Sequence, residues 1–263
     1  LVDEIRAASR DPERLLVVET SPHFPRTFGL PPDHPHSIGL DEIDVWIASD
    51  AKPTELPDVA PGPEEIAIAR HVAPFVARDA TLQVGIGGIP NAVVELLAQA
   101  GEGAYGVHSE MFTTGLMRLH EAGRVRNAKG LFDGASIATF AMGSRALYDW
   151  LDGNDAVRFL PVDVVNDPAV IARNARMVSI NGALAVDLFG QAVADTIDGR
   201  QFSGIGGHED FLAGVGASLE GRSLATDAPV TLELVYAGGF VDAKHGVWNS
   251  EAPAADDVAL GLD

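Results

Sequence analysis

The amino-acid sequence predicts an α/β fold, in which a mostly parallel sheet carries helices on both of its faces. Three observations support this prediction. From residue 64 onward, short apolar runs alternate with longer segments whose apolar residues recur at helical spacing. Turns that contain Gly and Pro separate the two kinds of segment. Strands that alternate with helices form βαβ units, and such units build parallel sheets that are covered on both sides.

The chain begins with strand patterns and a linker. We expect strands at 15–20 and 44–48, on either side of a loop that contains proline. Residues 52–63 hold four of the chain's 16 prolines, and proline fixes φ and removes a hydrogen-bond donor. This segment predicts a Pro-rich linker, and the strands before it resemble the end of a domain rather than a whole one.

After the linker, the alternation becomes regular. A helix is predicted over 64–77, because Ile66, Ala69 and Val72 recur at helical spacing behind an acidic first turn. Next come a strand at 81–84, a turn at 85–90, a helix at 92–100, a strand at 104–108 and a helix at 112–122. Further strands are predicted at 136–141, 157–162 and 177–180, and further helices at 144–151 and 168–174. The stretch from about residue 251 is acidic and rich in Ala, which predicts a loose tail.

Composition argues against several classes of function. The chain has 263 residues and a net charge of −20, from 18 Lys and Arg against 38 Asp and Glu, whereas nucleic-acid binding needs a basic footprint. Because cysteine is absent, disulfides, thiol nucleophiles and cysteine-held clusters are excluded. The eight histidines show no metal-ligand spacing. The sequence shows no leader pattern and no run of 18 apolar residues, so we expect a cytoplasmic protein without membrane or nucleic-acid contacts.

A glycine-rich turn lies between an apolar strand and an apolar helix. It reads Gly85-Ile86-Gly87-Gly88-Ile89-Pro90. Glycines let the backbone approach a phosphate or a thioester closely, and the N–H groups at a helix N-terminus favour an anion. A plain tight turn explains the same glycines equally well, so the pattern is weak evidence by itself.

An acid follows this turn at the end of the next predicted strand, in His108-Ser109-Glu110. Ligands of open α/β sheets bind at the carboxyl ends of the strands. Glu110 could bind a ribose hydroxyl in a dinucleotide fold, although Pro90 is a poor substitute for that motif's third glycine. It could instead be a nucleophile, with N–H donors of the turn aimed at an acyl oxygen. A solvated or helix-capping acid is the third interpretation, and for His108 we favour a packed core histidine over one that tunes the carboxylate.

Two runs of sequence resemble the acetyl-CoA hydrolase/transferase family, which includes the 4-hydroxybutyrate, butyrate and succinate:acetate CoA-transferases. They are Gly85-Ile86-Gly87-Gly88-Ile89-Pro90-Asn91-Ala92-Val93 and Val107-His108-Ser109-Glu110-Met111-Phe112-Thr113-Thr114-Gly115. The resemblance continues at 25–29, 138–144, 161–168, 186–191 and 203–211. Several motifs in one order over roughly 15–224 are far more specific than any single motif.

The resemblance implies a CoA-transferase-like fold and a ping-pong mechanism through a covalent glutamyl-CoA thioester. It implies that Glu110 is the catalytic glutamate and that Asn166 is the second catalytic residue, which holds the developing oxyanion. The implied coenzyme A contacts are Ile86, Gly87, Gly88, Ile89, Pro90, Asn91 and Gly207. Without the resemblance, we would interpret Asn166 as an Asx-turn residue before Asp167.

The resemblance also implies a domain organisation. Residues 1–51 would be the C-terminal part of an N-terminal CoA-transferase domain, similar in fold to the domain that follows, and 52–63 the linker. Residues 64–224 would be the C-terminal acetyl-CoA hydrolase/transferase domain, and 225–263 a divergent segment with an acidic tail. The family's members are considerably longer than this chain, which resembles a truncated member.

The implied function is transfer of CoA between an acyl-CoA and a short-chain carboxylate such as acetate, or hydrolysis of acetyl-CoA. Coenzyme A would be a substrate, with no permanently bound cofactor and no metal. The expected partners are acyl-CoA, a short carboxylate and further copies of this chain in a homo-oligomer. Two alternatives stay open: an NAD(P)-binding oxidoreductase that uses the turn at 85–90, and a catalytically silent fragment that keeps the fold.

Overall fold

The structure, a computed structural model, describes residues 2–186, 191–197, 199–204 and 206–227. Its helices are α1 (Val2–Ser9), α2 (Pro63–Val72), α3 (Gly88–Gln99), α4 (Thr114–Glu121), α5 (Arg145–Leu151), α6 (Val162–Val165), α7 (Pro168–Ile171) and α8 (His208–Ala217). Short 3-10 helices cover Leu40–Glu42 and Ala73–Phe75. The predicted acidic tail and the central part of the motif at 186–191 lie outside the described residues.

The strands are short. They are β1 (Val17–Thr20), β2 (Val45–Ala48), β3 (Thr81–Val84), β4 (Gly106–Val107), β5 (Met111–Phe112), β6 (Ser136–Ala138), β7 (Phe140–Ala141), β8 (Val157–Phe159), β9 (Met177–Ala183), β10 (Ala185–Val186), β11 (Ala192–Val193), β12 (Thr196–Ile197), β13 (Arg200–Gln201) and β14 (Arg222–Asp227). The predicted strand at 81–84 is confirmed with both of its ends.

The central sheet is parallel. Four strands lie in the order β14, β9, β3, β4. A parallel bridge between His108 and Ile137 connects the end of β4 to β6, and β6 pairs in parallel with β8. The β5 and β7 strands form a further parallel pair. The predicted α/β fold with a mostly parallel sheet is confirmed.

Helices cover both faces of this sheet, and the alternation of side chains along the strands shows it. Val178 and Ala138 belong to the larger hydrophobic cluster, whereas their neighbours Met177 and Ile137 belong to a second cluster. The larger cluster takes its helical residues from α2, α3, α4 and α5. The second takes them from α6, α7 and α8.

The β1 and β2 strands form a separate parallel ribbon that precedes this sheet. Its apolar side chains are largely exposed, with 67% of Trp46 and 47% of Ile47 accessible to solvent. An isolated two-stranded ribbon cannot bury a hydrophobic face of its own. This ribbon is the element that we expect to be the remnant of a preceding domain.

The helix after the glycine turn begins earlier than predicted. The backbone N–H of Asn91 donates to the carbonyl oxygen of Gly87 at 3.2 Å, so α3 starts at Gly88 instead of residue 92. Pro90 therefore lies in the first helical turn, where its missing N–H leaves no helical bond unmade. The predicted turn at 85–90 is wrong in its second half.

Other boundaries also differ from the prediction. The helix predicted at 112–122 begins at Thr114, because Phe112 is in β5 and the Thr113 side chain caps the helix by accepting from Leu116 N–H. The strand predicted at 157–162 ends at Phe159. The antiparallel hairpins β10–β11 and β12–β13 were not predicted. The β14 strand spans the boundary proposed at residue 225, and most of the segment beyond it lies outside the described residues.

None of the helices formed by the described residues combines the length and the apolar composition that a bilayer crossing requires.

A buried histidine that packs against two aromatic rings leads us to expect that the stability of this fold depends on pH. The ring of His120 on α4 lies 5.9 Å from Phe112 and 5.2 Å from Trp150, and its Nε2 is 2.8 Å from Ser136 Oγ. Burial lowers the pKa of His120 from 6.5 to about 4. Between these pH values the unfolded chain binds the proton and the folded chain does not, so stability is lost as the pH falls.

We predict that His120→Phe reduces this acid sensitivity. Between pH 7 and pH 5, the free energy of unfolding of the wild type should fall by about 2 kcal/mol more than that of the variant. Urea titrations at the two pH values measure the difference. An equal loss in both proteins would contradict the assignment.

Candidate active site

The backbone around Glu110 is held on both sides by the sheet. The N–H of Ser109 donates to the Ile137 carbonyl at 3.0 Å. The carbonyl of Glu110 accepts from the N–H groups of Thr139 at 2.8 Å and Phe140 at 3.2 Å. Glu110 therefore stands at the carboxyl edge of the sheet, as predicted, with its backbone fixed and its side chain half-buried.

Asn166 comes to Glu110 from a distant part of the chain. It ends the short helix α6, and its Nδ2 donates to Glu110 Oε2 at 3.0 Å. Its side chain does not form the Asx-turn of the simpler interpretation, because residue 168 is a proline without an N–H. The Asx contact in this segment belongs to Asp167, which accepts from Ala169 N–H at 2.8 Å. Asn166 is 8% exposed, and its Oδ1 is buried with no hydrogen-bond partner among the described residues.

Gly207, the residue immediately before α8, lies next to Glu110 and Asn166. A Cβ atom built on Gly207 would overlap both Glu110 Oε2 and Asn166 Nδ2. The backbone of Gly207 has φ −88°, which any residue can adopt. The glycine therefore matters here for space and not for conformation, because a side chain would displace the ends of Glu110 and Asn166. The structure thus brings together three of the predicted site residues, Glu110, Asn166 and Gly207.

His108 lies beneath this group and is completely buried. Its Nε2 is 2.8 Å from the carbonyl oxygen of Val165, so Nε2 carries the hydrogen and donates it. Burial lowers the pKa of His108 to about 4, so the ring is neutral at pH 7. Its ring packs 6.2 Å from that of Phe211 on α8. The favoured interpretation of His108 as a packed core residue is consistent with these contacts, which connect the strand of Glu110 to the residue before Asn166.

The predicted coenzyme A turn lies at the same edge of the sheet. Ile86, Gly87 and Gly88 are exposed at its tip, whereas the side chains of Ile89 and Pro90 are buried against the core. Gly87 has φ +128°, a conformation open to glycine. No side-chain hydrogen bond among the described residues joins this turn to Glu110, Asn166 or Gly207. The backbone, rather than the side chains of Ile89 and Pro90, is available to a ligand.

Two polar features of this region were missed by sequence reasoning. Asp210 on α8 accepts from Asn166 Nδ2 at 3.3 Å. In the sequence, the indication that Asp210 belongs to the site was its position three residues after Gly207. Side by side on β3 and β9, a buried network joins Gln83, Ser179 and Asn181, with Gln83 Nε2 donating to Asn181 Oδ1 at 3.0 Å. Polar residues inside an apolar strand pattern were the signal for this network.

The chain spans about half the length of the curated relatives it matches. It is 38% identical over 212 residues to the 4-hydroxybutyrate coenzyme A transferase of Clostridium kluyveri. This match covers 80% of this chain and 48% of the relative. It is 33% identical over 229 residues to a probable butyrate:acetyl-CoA coenzyme A-transferase of Syntrophomonas wolfei. This match covers 86% of this chain and 50% of the relative.

Solved structures and a family model agree with these matches. The crystal structure of RipA from Yersinia pestis superposes with a TM-score of 0.77 at 35% identity, over 86% of this chain and 50% of RipA. The model of the acetyl-CoA hydrolase/transferase C-terminal domain matches residues 143–229. The same order of motifs, the same parallel fold and these matches lead to one conclusion: the chain belongs to the acetyl-CoA hydrolase/transferase family.

Proposed function

We propose that this chain carries the catalytic half of a CoA-transferase that moves CoA between an acyl-CoA and a short-chain carboxylate such as acetate. The observation that supports this function best is the hydrogen bond from Asn166 Nδ2 to Glu110 Oε2. It gives a carboxylate nucleophile an N–H donor on the oxygen that becomes charged during the reaction. Hydrolysis of acetyl-CoA follows when water, instead of a carboxylate, attacks the activated intermediate.

The reaction begins with attack of Glu110 Oε1 on the thioester carbonyl of the acyl-CoA. The C–S bond breaks, CoA leaves as a thiolate, and a mixed acyl-glutamyl anhydride forms. The thiolate then attacks the glutamyl carbonyl and releases the first carboxylate, which leaves a glutamyl-CoA thioester. An incoming carboxylate attacks this thioester and displaces the CoA thiolate again. Attack of the thiolate on the new acyl carbonyl gives the product acyl-CoA and restores Glu110.

Asn166 acts at the steps in which the glutamyl carbonyl carbon is attacked. Negative charge then collects on Oε2, and the N–H of Asn166 already points at that atom. One such donor lowers the barrier by about 3 kcal/mol. Gly207 leaves the space in which Glu110 and Asn166 meet.

Coenzyme A is proposed as a substrate that is bound by the turn at 85–91, without a permanently bound cofactor. The tip of this turn is exposed, and α3 presents backbone N–H groups at its start. Local backbone donors matter because the net charge of −20 repels an anionic ligand at long range.

The oxidoreductase alternative has less support. Pro90 occupies the place of a close-packing glycine in the dinucleotide motif. Glu110 is engaged by the amide of Asn166, and the relatives reported above are named as CoA-transferases. The silent-fragment alternative is decided by the experiment that follows.

We predict that incubation with acyl-CoA followed by borohydride reduces a thioester on Glu110 to an alcohol, which peptide mass mapping locates. Glu110→Ala should abolish CoA exchange because it removes the carboxylate that is proposed to form the acyl intermediate. Replacing the exposed acid Glu121 on α4 by Ala is the matched control and should keep exchange and labelling.

Each other outcome identifies an alternative. Full exchange in Glu110→Ala would refute the assigned role. Unmodified Glu110 together with NAD binding would favour the oxidoreductase, and absence of both would favour the silent fragment.

We also predict that Gly207→Ala lowers CoA exchange by at least about 100-fold, because the new methyl group pushes Glu110 and Asn166 apart. Gly204→Ala is the control, since a Cβ there meets no atom within 4 Å. Exchange assays and thermal melting of both variants measure the effect. Normal exchange in a folded Gly207→Ala protein would contradict the close approach.

The domain organisation is proposed as expected from the sequence: 1–51, the linker 52–63, the domain 64–224 and the divergent segment 225–263. We propose a cytoplasmic protein that assembles with further copies of itself. The exposed apolar side chains of the β1–β2 ribbon support this assembly, because a partner surface would bury them.

We predict that Trp46→Ser weakens this self-association, because it removes the most exposed aromatic side chain of the ribbon. Thermal stability should change by less than about 0.5 kcal/mol, as for other exposed positions. Sedimentation equilibrium measures the mass. A monomeric wild type at all concentrations would contradict the oligomer.

A further inference from the structure

The amide of Asn166 lies between two carboxylates. Its Nδ2 donates to Glu110 Oε2 at 3.0 Å and to Asp210 Oδ2 at 3.3 Å. An amide nitrogen has two hydrogens, so both are used when each carboxylate accepts one. The proposed reaction needs only the first of these two bonds, which leaves the purpose of the second to be explained.

The second bond matters because an asparagine amide has two orientations. Turning it over would place Oδ1 against the oxygens of Glu110 and Asp210, where an acceptor meets two acceptors. Asn166 is 8% exposed, so little water would relieve this contact. Each carboxylate therefore disfavours the reversed orientation, in which Glu110 would have no donor.

The two carboxylates differ during the reaction. Glu110 loses its negative charge when it becomes an anhydride or a thioester. Its attraction for the amide N–H is therefore weakest in these acylated intermediates, before the attack in which the donor is needed. Asp210 takes no part in bond formation and stays as it is. It is the constant acceptor for Asn166 throughout the cycle.

The position of Asp210 is fixed by its helix. Asp210 lies in the first turn of α8, and the next residue, Phe211, is 1% exposed in the second hydrophobic cluster. A Cβ atom on Gly214 would meet Ile171 Cβ at 2.5 Å, so α8 is packed closely against α7. Glu209, the other acid of this turn, is exposed and has no hydrogen bond to Asn166 among those described.

We propose that Asp210 is a positioning residue, which keeps Nδ2 of Asn166 directed at Glu110 Oε2 while Glu110 is acylated. This inference rests on the proposed function, in which Asn166 stabilises the oxyanion. It assigns no chemical step to Asp210, which acts only through the amide of Asn166.

The first test compares Asp210→Ala with its matched control Glu209→Ala, which removes a similar charge from the same helical turn. We expect Asp210→Ala to lower kcat for CoA exchange by about tenfold or more and to change KM for acyl-CoA by less than about twofold. Glu209→Ala should leave both constants within about twofold of the wild type.

A double-mutant cycle with Asn166→Ala shows whether Asp210 acts through Asn166. If it does, adding Asp210→Ala to Asn166→Ala should lower kcat by less than about twofold further. An equal loss in both backgrounds, or an equal loss in Glu209→Ala, would overturn the proposal. Should Asp210→Ala fold poorly, the isosteric Asp210→Asn serves the same cycle, because its amide also accommodates the reversed Asn166.

A second readout does not depend on activity. In protein labelled with ¹⁵N-asparagine, the side-chain NH₂ signals of Asn166 are identified by their loss in Asn166→Ala. Asp210→Ala should shift these signals and Glu209→Ala should not. Unchanged signals in Asp210→Ala would overturn the proposal even in an active enzyme, whereas an unlabelled Glu110 with shifted signals would overturn only the proposed function.

Discussion

The hydrogen bond between Asn166 and Glu110 is the interaction around which this half of the molecule is organised. It joins two segments 56 residues apart in sequence, and Gly207 leaves the space for it, since a Cβ atom there would overlap both partners. A partly buried carboxylate is costly without a partner, and the amide of Asn166 supplies that partner for Oε2 of Glu110.

Buried groups beneath the site hold its parts in register. His108 is neutral because burial lowers the pKa of its ring to about 4, and a neutral ring donates one hydrogen to the carbonyl of Val165. Its packing against Phe211 connects the same ring to α8. One side chain thus links the three segments that carry Glu110, Asn166 and Gly207. Its Nδ1 has no hydrogen-bond partner among the described residues, and a buried polar atom without a partner lowers the stability of the fold.

For binding of an anionic ligand, the positions of the basic residues matter more than the net charge of the chain. The sequence contains a basic stretch after Glu110, yet Lys129 is fully buried and donates to the carbonyls of Phe132 and Ala135. Burial lowers the pKa of Lys129 to about 8. Arg118 is paired with Asp58. Lys129 and Arg118 are therefore engaged within the fold, whereas the tip of the glycine turn exposes its backbone at the sheet edge.

The sequence by itself determined the fold class, the place of Glu110 and the identity of the family, because alternation of strands and helices is a local property and short motifs are contiguous. It did not determine the start of α3, since a helix beginning depends on one backbone bond at Gly87. Nor did it assign Asp210, or the reason that Gly207 is a glycine. Those features depend on distances between residues that are far apart in sequence, and only the packing of α6 and α8 against the parallel sheet decides those distances.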